Sequence, residues 1–218
     1  RILLDWLAYV VQNAGKRINW AILLQGAQGT GKSYFAKVLE WVLGSNAKSL
    51  DPSALGERFT GWAHGSVVNI VEEIRIKGDD KWRIMDRLKP FITNSMIQIE
   101  EKGRDHRTVP NFTNYLLLTN YKDALPITND DRRFCVMYGR IQNEQELFDF
   151  FGGREQTADY FENLFAESEK HAGVIKGFLL NYKISDEFKA SGRAPDTSSR
   201  KAMIQATISP EQCSVEDL

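Results

Sequence analysis

Cysteine is scarce in this sequence: of 218 residues only Cys135 and Cys213 carry a thiol. Two are too few for a disulfide framework, and Cys135 stands in an apolar run, where it reads as a small buried hydrophobe. A reducing, intracellular setting is the expectation. Long apolar runs are missing too. None approaches the ~20 residues that span a bilayer, and no leader peptide precedes the first helical pattern. Neither sign of charge is in excess, since 28 Lys and Arg against 29 Asp and Glu leave a formal charge of −1. Bulk electrostatics therefore do not draw the chain to nucleic acid, and such a contact has to come from a local patch. Internal repeats are absent. The chain opens on Arg1 without a methionine, which reads as a segment of something longer.

What is present is ordinary in amount: 42% hydrophobic and 26% charged residues, enough for one large domain or a domain with a small appendage. In RILLDWLAYVVQNAGKR, Ile2, Leu3, Trp6, Leu7, Val10 and Val11 form a helical stripe stopped by Gly15. Short apolar runs predict buried strands over residues 20–25, 67–71, 115–119 and 134–138. A helix is expected over 32–43, with Phe35, Val38, Leu39 and Val42 inward. Another is expected over 80–89, ended by Pro90. Beyond Glu144 the pattern is helical. ASGRAPDTSSR reads as a loop, and residues 202–218 show no dependable pattern. Strands spaced by helices indicate an α/β sheet of largely parallel strands. The expected division is an N-terminal helix over 1–18 that could end an oligomerisation region, a core over 19–143, a helical part over 144–190 and a loop or tail over 191–218.

Chemistry enters at GAQGTGKS, which is Gly26, Ala27, Gln28, Gly29, Thr30, Gly31, Lys32 and Ser33. It fits G-x-x-x-x-G-K-[ST] directly after a predicted strand and at the start of a predicted helix. Such a loop turns successive amides towards phosphate, with Lys32 reaching the β- and γ-phosphates of ATP and Ser33 coordinating Mg²⁺. Hydrolysis also needs carboxylates. VVNIVEEI ends a buried strand with Glu72, for the metal, and Glu73, to polarise water. LLLTNY supplies Asn120, placed to orient the water or sense the γ-phosphate. NDDRRF places Arg132 and Arg133 before the last strand, either to stabilise charge on a phosphoryl group or as surface partners of Asp130 and Asp131. IQIEEKGRDHRTVPNF reads as a hairpin with Lys102, Arg104, His106 and Arg107 around Gly103. Glu100, Glu101 and Asp105 could neutralise those cations locally.

Taken in order, GAQGTGKS, VVNIVEEI, EEKGRDHRTVPNF, NYLLLTN and NDDRRF resemble the superfamily 3 helicases, ring-forming AAA+ ATPases of viruses, phages and mobile elements. The set is most similar to the helicase part of phage and plasmid-type primase–helicases and spans residues 20–138. The resemblance implies an AAA+ P-loop NTPase core, a mostly parallel five-stranded sheet flanked by helices, with a small helical C-terminal part. It implies ATP and Mg²⁺ bound between subunits of a ring, usually a hexamer, in the cytoplasm of a host cell and without a membrane. Lys32, Ser33, Glu72 and Glu73 would act on the nucleotide and Asn120 would be the sensor. Arg133 ahead of Arg132 would reach a neighbour's ATP. The hairpin would grip single-stranded DNA through Lys102 and Arg104, then His106 and Arg107. Partners would include host or element-encoded replication proteins. No primase signature is visible. The expected function is an ATP-driven DNA helicase or translocase. The alternatives are an initiator or loader that does not unwind, and an NTPase switch whose hairpin is inert.

Overall fold

Successive side chains of a strand point to opposite faces of a sheet, and in this protein both faces are apolar. The computed structural model describes residues 1–78 and 81–207. In chain order the elements are α1 (Ile2–Gln12), β1 (Ala21–Gln25), α2 (Lys32–Leu43), β2 (Ala47–Leu50), β3 (Val68–Val71), α3 (Lys81–Thr93), β4 (Met96–Ile99), β5 (Arg107–Pro110), β6 (Asn114–Thr119), β7 (Phe134–Tyr138), α4 (Glu144–Phe151), α5 (Arg154–Lys170), α6 (Ala172–Asn181) and α7 (Ser198–Thr207). Five strands form one sheet in the order β2-β3-β6-β1-β7, with every neighbouring pair parallel. β4 and β5 form a separate antiparallel ribbon. This is an α/β fold with a parallel five-stranded sheet flanked by helices.

The pleat divides the interior into two cores. Leu23, Val71, Leu117 and Val136 face one way, onto α3, the base of the ribbon and α7. Their neighbours Ile22, Ile70, Leu116 and Cys135 face the other way, onto α1 and α2. Burial pushes the Cys135 thiol up to about 12, in keeping with a packing role. Trp6 and Ala8 of α1 are fully buried, so this helix is part of the second core. In α2 the inward face is Ala36, Val38, Leu39 and Val42, while Phe35 is only half-buried. Among the described residues no helix is long and apolar enough to cross a membrane.

Three expectations need correction. Pro90 does not end its helix, because α3 continues to Thr93. Phe91 and Ile92, just beyond it, are buried, and the Asn94 amide still donates to the Pro90 carbonyl at 2.8 Å. The last carbonyls of α3 have external donors. Asn111 Nδ2 donates to those of Phe91 at 2.6 Å and Asn94 at 2.9 Å, and the Arg17 guanidinium donates to Thr93 at 2.6 Å and also to Asn94. Residue Asp80, the expected start of this helix, lies outside the described residues. β2 was not expected at all. It is an edge strand with one neighbour and no fully buried residue, so it lacks the apolar run that marked the others. Finally, part of the expected loop or tail over 191–218 is the helix α7, whose Met203 and Ile204 are buried in the first core. Two apolar anchors in ten residues leave too weak a period to read. Residues 208–218, Cys213 among them, lie outside the described residues.

α6 packs on α1 and α2, and α5 packs on α2 and α4. The closest approach to the glycine-rich loop is at Gly31. Its φ is 83°, and a Cβ there would lie 2.7 Å from Cε1 of Phe161 on α5.

Two stability predictions follow from these contacts. Arg17→Ala removes charged donors from the last carbonyls of α3, at half-buried Thr93 and exposed Asn94, and is expected to cost about 1.5 kcal/mol in urea unfolding. A change below about 0.5 kcal/mol would show that water replaces the guanidinium. Gly31→Ala is expected to cost about 2 kcal/mol, from the left-handed backbone plus the collision with the ring. Adding Phe161→Leu should return part of that loss, and no recovery would remove the ring from the explanation.

Candidate functional site

Because β6 lies between β1 and β3 and all three run parallel, their C-terminal ends open on one edge of the sheet. β1 delivers the glycine-rich loop and the start of α2, β6 delivers Asn120, and β3 delivers Glu72 and Glu73. These side chains surround one cavity of about 90 Å³. Gln28, Gly29, Lys32 and Ser33 line one side of it, and Glu72, Glu73 and Asn120 line the other. At roughly 30 Å³ per water, that space holds a phosphate-sized group with a water or so, and not a nucleoside.

α2 begins without a side-chain cap, so its first amides face the cavity edge with no side-chain acceptor of their own. Lys32 Nζ is folded back on the loop and donates to the Ala27 carbonyl at 2.6 Å. Thr30 Oγ1 donates to the same carbonyl at 2.8 Å. Burial lowers the Lys32 pKa, and Glu73 and then Glu72 oppose that shift. Ser33 Oγ donates to Glu72 Oε2 at 2.6 Å, which puts two hard oxygen ligands side by side. Among the described residues no group of three or more His, Cys, Asp or Glu side chains could hold a metal. A hydroxyl beside a carboxylate is a set of hard oxygen donors of the type that bind divalent cations which keep several waters.

Glu73 is exposed and has φ 56°, the only non-glycine with positive φ among the described residues. Such a backbone costs on the order of 1–3 kcal/mol and persists where the surroundings impose it. Here the following amide, that of Ile74, donates to the Leu118 carbonyl at 2.9 Å and draws the chain back towards β6. Asn120 is half-buried. Its carbonyl accepts from Gln25 Nε2 at 3.3 Å, and Gln25 is itself held by Gln142 at 3.2 Å.

A second cavity, of about 180 Å³, adjoins the loop on the far side of Gln28 and Gly29. Leu147 and Phe148 of α4 and Ala158 and Phe161 of α5 line it, with Glu144 and Arg154 as its charged members. Sequence reasoning assigned no role to these residues. No motif marks them, and only the docking of α4 and α5 brings them to the loop.

Arg132 and Arg133 are not brought to either cavity. They precede β7, whose N-terminal end pairs with that of β1, so roughly 16 Å of strand separates them from the glycine-rich loop. Arg133 is tethered: its amide donates to Asp131 Oδ1 at 2.8 Å, and its Nη1 lies 3.8 Å from Asp131 Oδ2. Its buried Nε has no partner. Arg132 has an exposed side chain and, among the described residues, no ion pair. Arg133, put first by the sequence reading, is thus the tethered one of the pair and Arg132 the more exposed.

The ribbon turns at Gly103, whose φ of 75° a side chain would strain. Glu101 Oε2 accepts from Arg104 and from Arg107, each at 3.2 Å, and His106 Nε2 lies 3.5 Å from Glu100 Oε2. Lys102 makes no ion pair among the described residues. The paired cations remain half or more exposed, and pairs of that kind are worth at most about 1 kcal/mol. Beside the turn is an open depression of about 680 Å³ that also reaches Arg58 and Phe59. Arg58 donates to Glu100 and lies 5.9 Å from the Phe59 ring, which is 40% exposed. Two bonds of 2.9 Å, Thr60 amide to Glu100 carbonyl and Glu100 amide to Thr60 Oγ1, tie this segment to the ribbon. Arg58 and Phe59 were missed because GERFTG carries no periodicity. An arginine next to an aromatic was the one available signal.

The DNA primase-polymerase of Nitratiruptor phage NrS-1 is 22% identical over 211 residues, covering 95% of this chain and 27% of the relative. The chain thus spans about a quarter of the curated relative it matches. The apo structure of the NrS-1 C-terminal region (305–718) superposes with a TM-score of 0.77 at 20% identity, covering 100% of this chain and 49% of that one. An A-form apo structure of the same region gives 0.73 at 20% identity over 95% of this chain and 47% of that one. These likenesses show a shared fold. A family described only as of unknown function, DUF5906, matches residues 24–133, half of the sequence. The chain belongs to DUF5906.

Proposed function

We propose that this protein is a superfamily 3-type AAA+ motor, a P-loop ATPase that moves single-stranded DNA during replication of a phage or mobile element. The observation that carries the reading is the convergence of Lys32, Ser33, Glu72, Glu73 and Asn120 on one cavity, with an aromatic cavity directly across Gln28 and Gly29. A polar chamber beside an apolar one fits a ligand that is polyphosphate at one end and a flat base at the other. In this reading the amides of residues 26–31 and the α2 N-terminus hold the phosphates. Lys32 exchanges the Ala27 carbonyl for the β- and γ-phosphates, and Phe148 and Phe161 receive the base. Mg²⁺ held by Ser33 and Glu72 would supply charge neutralisation between the β- and γ-oxygens. Glu73 orients a water for attack on the γ-phosphorus and takes its proton as the bond to the β-phosphate oxygen breaks. Asn120 sits where the γ-phosphate is lost or kept.

Arg132, assisted by Arg133, is too far from its own loop and serves the nucleotide of a second copy, which calls for a ring, hexameric in the family resembled. The Gly103 hairpin and the Arg58–Phe59 segment then contact one DNA strand, cations to phosphate and the ring to a base. A role in phage replication is supported by the similarity to a phage primase-polymerase. One observation favours a second reading. Glu101 already holds Arg104 and Arg107, as it would in a loader or initiator that binds nucleotide without unwinding DNA.

Binding of ATP and of inorganic tripolyphosphate, measured side by side, tests the nucleotide site. Lys32→Ala is expected to weaken both by roughly 10- to 100-fold, since it removes charged hydrogen bonds common to both. Phe148→Ala should weaken ATP about tenfold and leave tripolyphosphate unchanged. Equal losses for both ligands would move the base elsewhere, and no binding of either by the wild type would end the reading. For the hairpin, Lys102→Ala should lower the salt dependence of single-stranded DNA binding by about one unit and abolish strand separation while ATP hydrolysis persists. Strand separation by this variant at the wild-type rate would remove Lys102 from the DNA grip. DNA binding and ATP hydrolysis without any strand separation by the wild type would establish the loader.

A further inference from the structure

The backbone around Arg132 is held from outside on both sides, while its side chain has no hydrogen bond or ion pair among the described residues. Arg200 of α7 is the main clamp. Its Nη2 donates to the carbonyls of Thr128 at 3.0 Å and Asn129 at 2.8 Å, and also to that of Asp131. The chain just before β7 is thus fixed through Asp131, whose carboxylate in turn orients Arg133. The Arg132 carbonyl accepts from the Ala194 amide at 2.8 Å. The clamp is itself anchored. Thr197 Oγ1 donates to the Val136 carbonyl at 2.6 Å, the Tyr138 amide donates to Ser199 Oγ at 3.0 Å, and Met203 and Ile204 are buried. The Arg200 side chain is 11% exposed, with Asp196 at 3.5 Å as its counter-charge.

A surface arginine kept only for solubility needs no such scaffold, because a mobile loop would present it equally well to water. Six hydrogen bonds between residues 194–200 and the loop and strand around Arg132 instead fix the backbone from which one exposed cation projects. Backbone placed to that degree suits recognition of an anion that arrives at a defined point, such as a phosphate on another molecule. We infer that Arg200 is a positioning residue that presents Arg132 to the nucleotide phosphate held by a second copy of the chain. The inference rests on the nucleotide reading above and adds the C-terminal segment, which that reading leaves without a task. α7 then becomes the strap that makes one copy's arginine usable by its neighbour. Lysine is not an equivalent replacement for Arg200, because its ammonium ends one bond short of Nη2 and it has no second nitrogen to take the place of Nη1 beside Asp196.

The test is a double-mutant cycle on the full chain, reading kcat for ATP hydrolysis and, separately, nucleotide affinity. Arg132→Ala and Arg200→Ala are each expected to lower kcat about tenfold or more, with nucleotide Kd changed less than about twofold. In the Arg132→Ala background, Arg200→Ala should cost less than about twofold further, because it acts only through the residue already removed. Mixing Arg200→Ala with Glu73→Gln should restore turnover, since sites with an intact Glu73 then face a correctly held Arg132. Multiplying losses in the double variant, or an Arg200→Ala protein with wild-type kcat, would overturn the assignment. If Arg200→Ala fails to fold, Arg200→Lys runs through the same cycle with the same expected pattern. A wild-type protein that neither binds nor hydrolyses ATP would sink the nucleotide reading and this inference with it. Additive losses on top of normal wild-type turnover would sink Arg200 alone.

Discussion

The parallel pairing of β6 between β1 and β3 is the constraint on which the rest depends. It sets Ile22 beside Leu116 and Ile70 beside the same residue, so the three strands run in step and β3, ending at Val71 opposite Leu117, stops just short of β1, which ends at Gln25 opposite Thr119. Each strand end therefore contributes to one edge without any long connection having to reach across. Moving one strand's register by a single residue would turn its side chains to the opposite core and withdraw its contribution from that edge. The chemistry-bearing residues are held by about five strands' worth of buried aliphatic contact, while they themselves lie at the solvent boundary. That division of labour lets Glu73 keep an unfavourable backbone and Lys32 keep a charge against its own desolvation.

Much of this was legible in the sequence, for a simple reason. A strand buried on both faces has to be apolar throughout, so β1, β3, β6 and β7 each stood out, and the residues that follow their ends could be placed on one edge. Glu72, Glu73 and Asn120 fall beside Lys32 and Ser33 for that reason. The parts that could not be read are those defined by partners distant in the chain. β2 is a strand only because β3 lies beside it. α3 passes Pro90 because Arg17 and Asn111, some 70 and 20 residues away, supply donors to its end. α7 has just two inward residues, and its meaning comes from the carbonyls it holds in the loop before β7. The aromatic cavity is likewise built by α4 and α5 meeting a loop more than a hundred residues earlier.

Charge shows the same dependence on arrangement. A formal balance of −1 conceals a tip where Lys102 has no ion-pair partner among the described residues and where Arg104, Arg107 and His106 share two glutamates. Those pairs are weak enough in water for another anion to compete with the carboxylates. Phe59, tied to the same ribbon through Thr60 and Glu100, adds an apolar surface at the one place where the cations gather.

The left-handed backbone of Glu73 carries a consequence for how this protein responds to selection. Glycine is the residue best suited to that φ, and placing it there would relieve strain. Selection for heat resistance alone would therefore drift towards glycine at position 73. Selection that also demands the chemistry of the strand edge would hold glutamate and accept a less stable fold. The two regimes pull a single backbone angle in opposite directions, so the residue found at 73 in a protein of this fold reports which of them has prevailed.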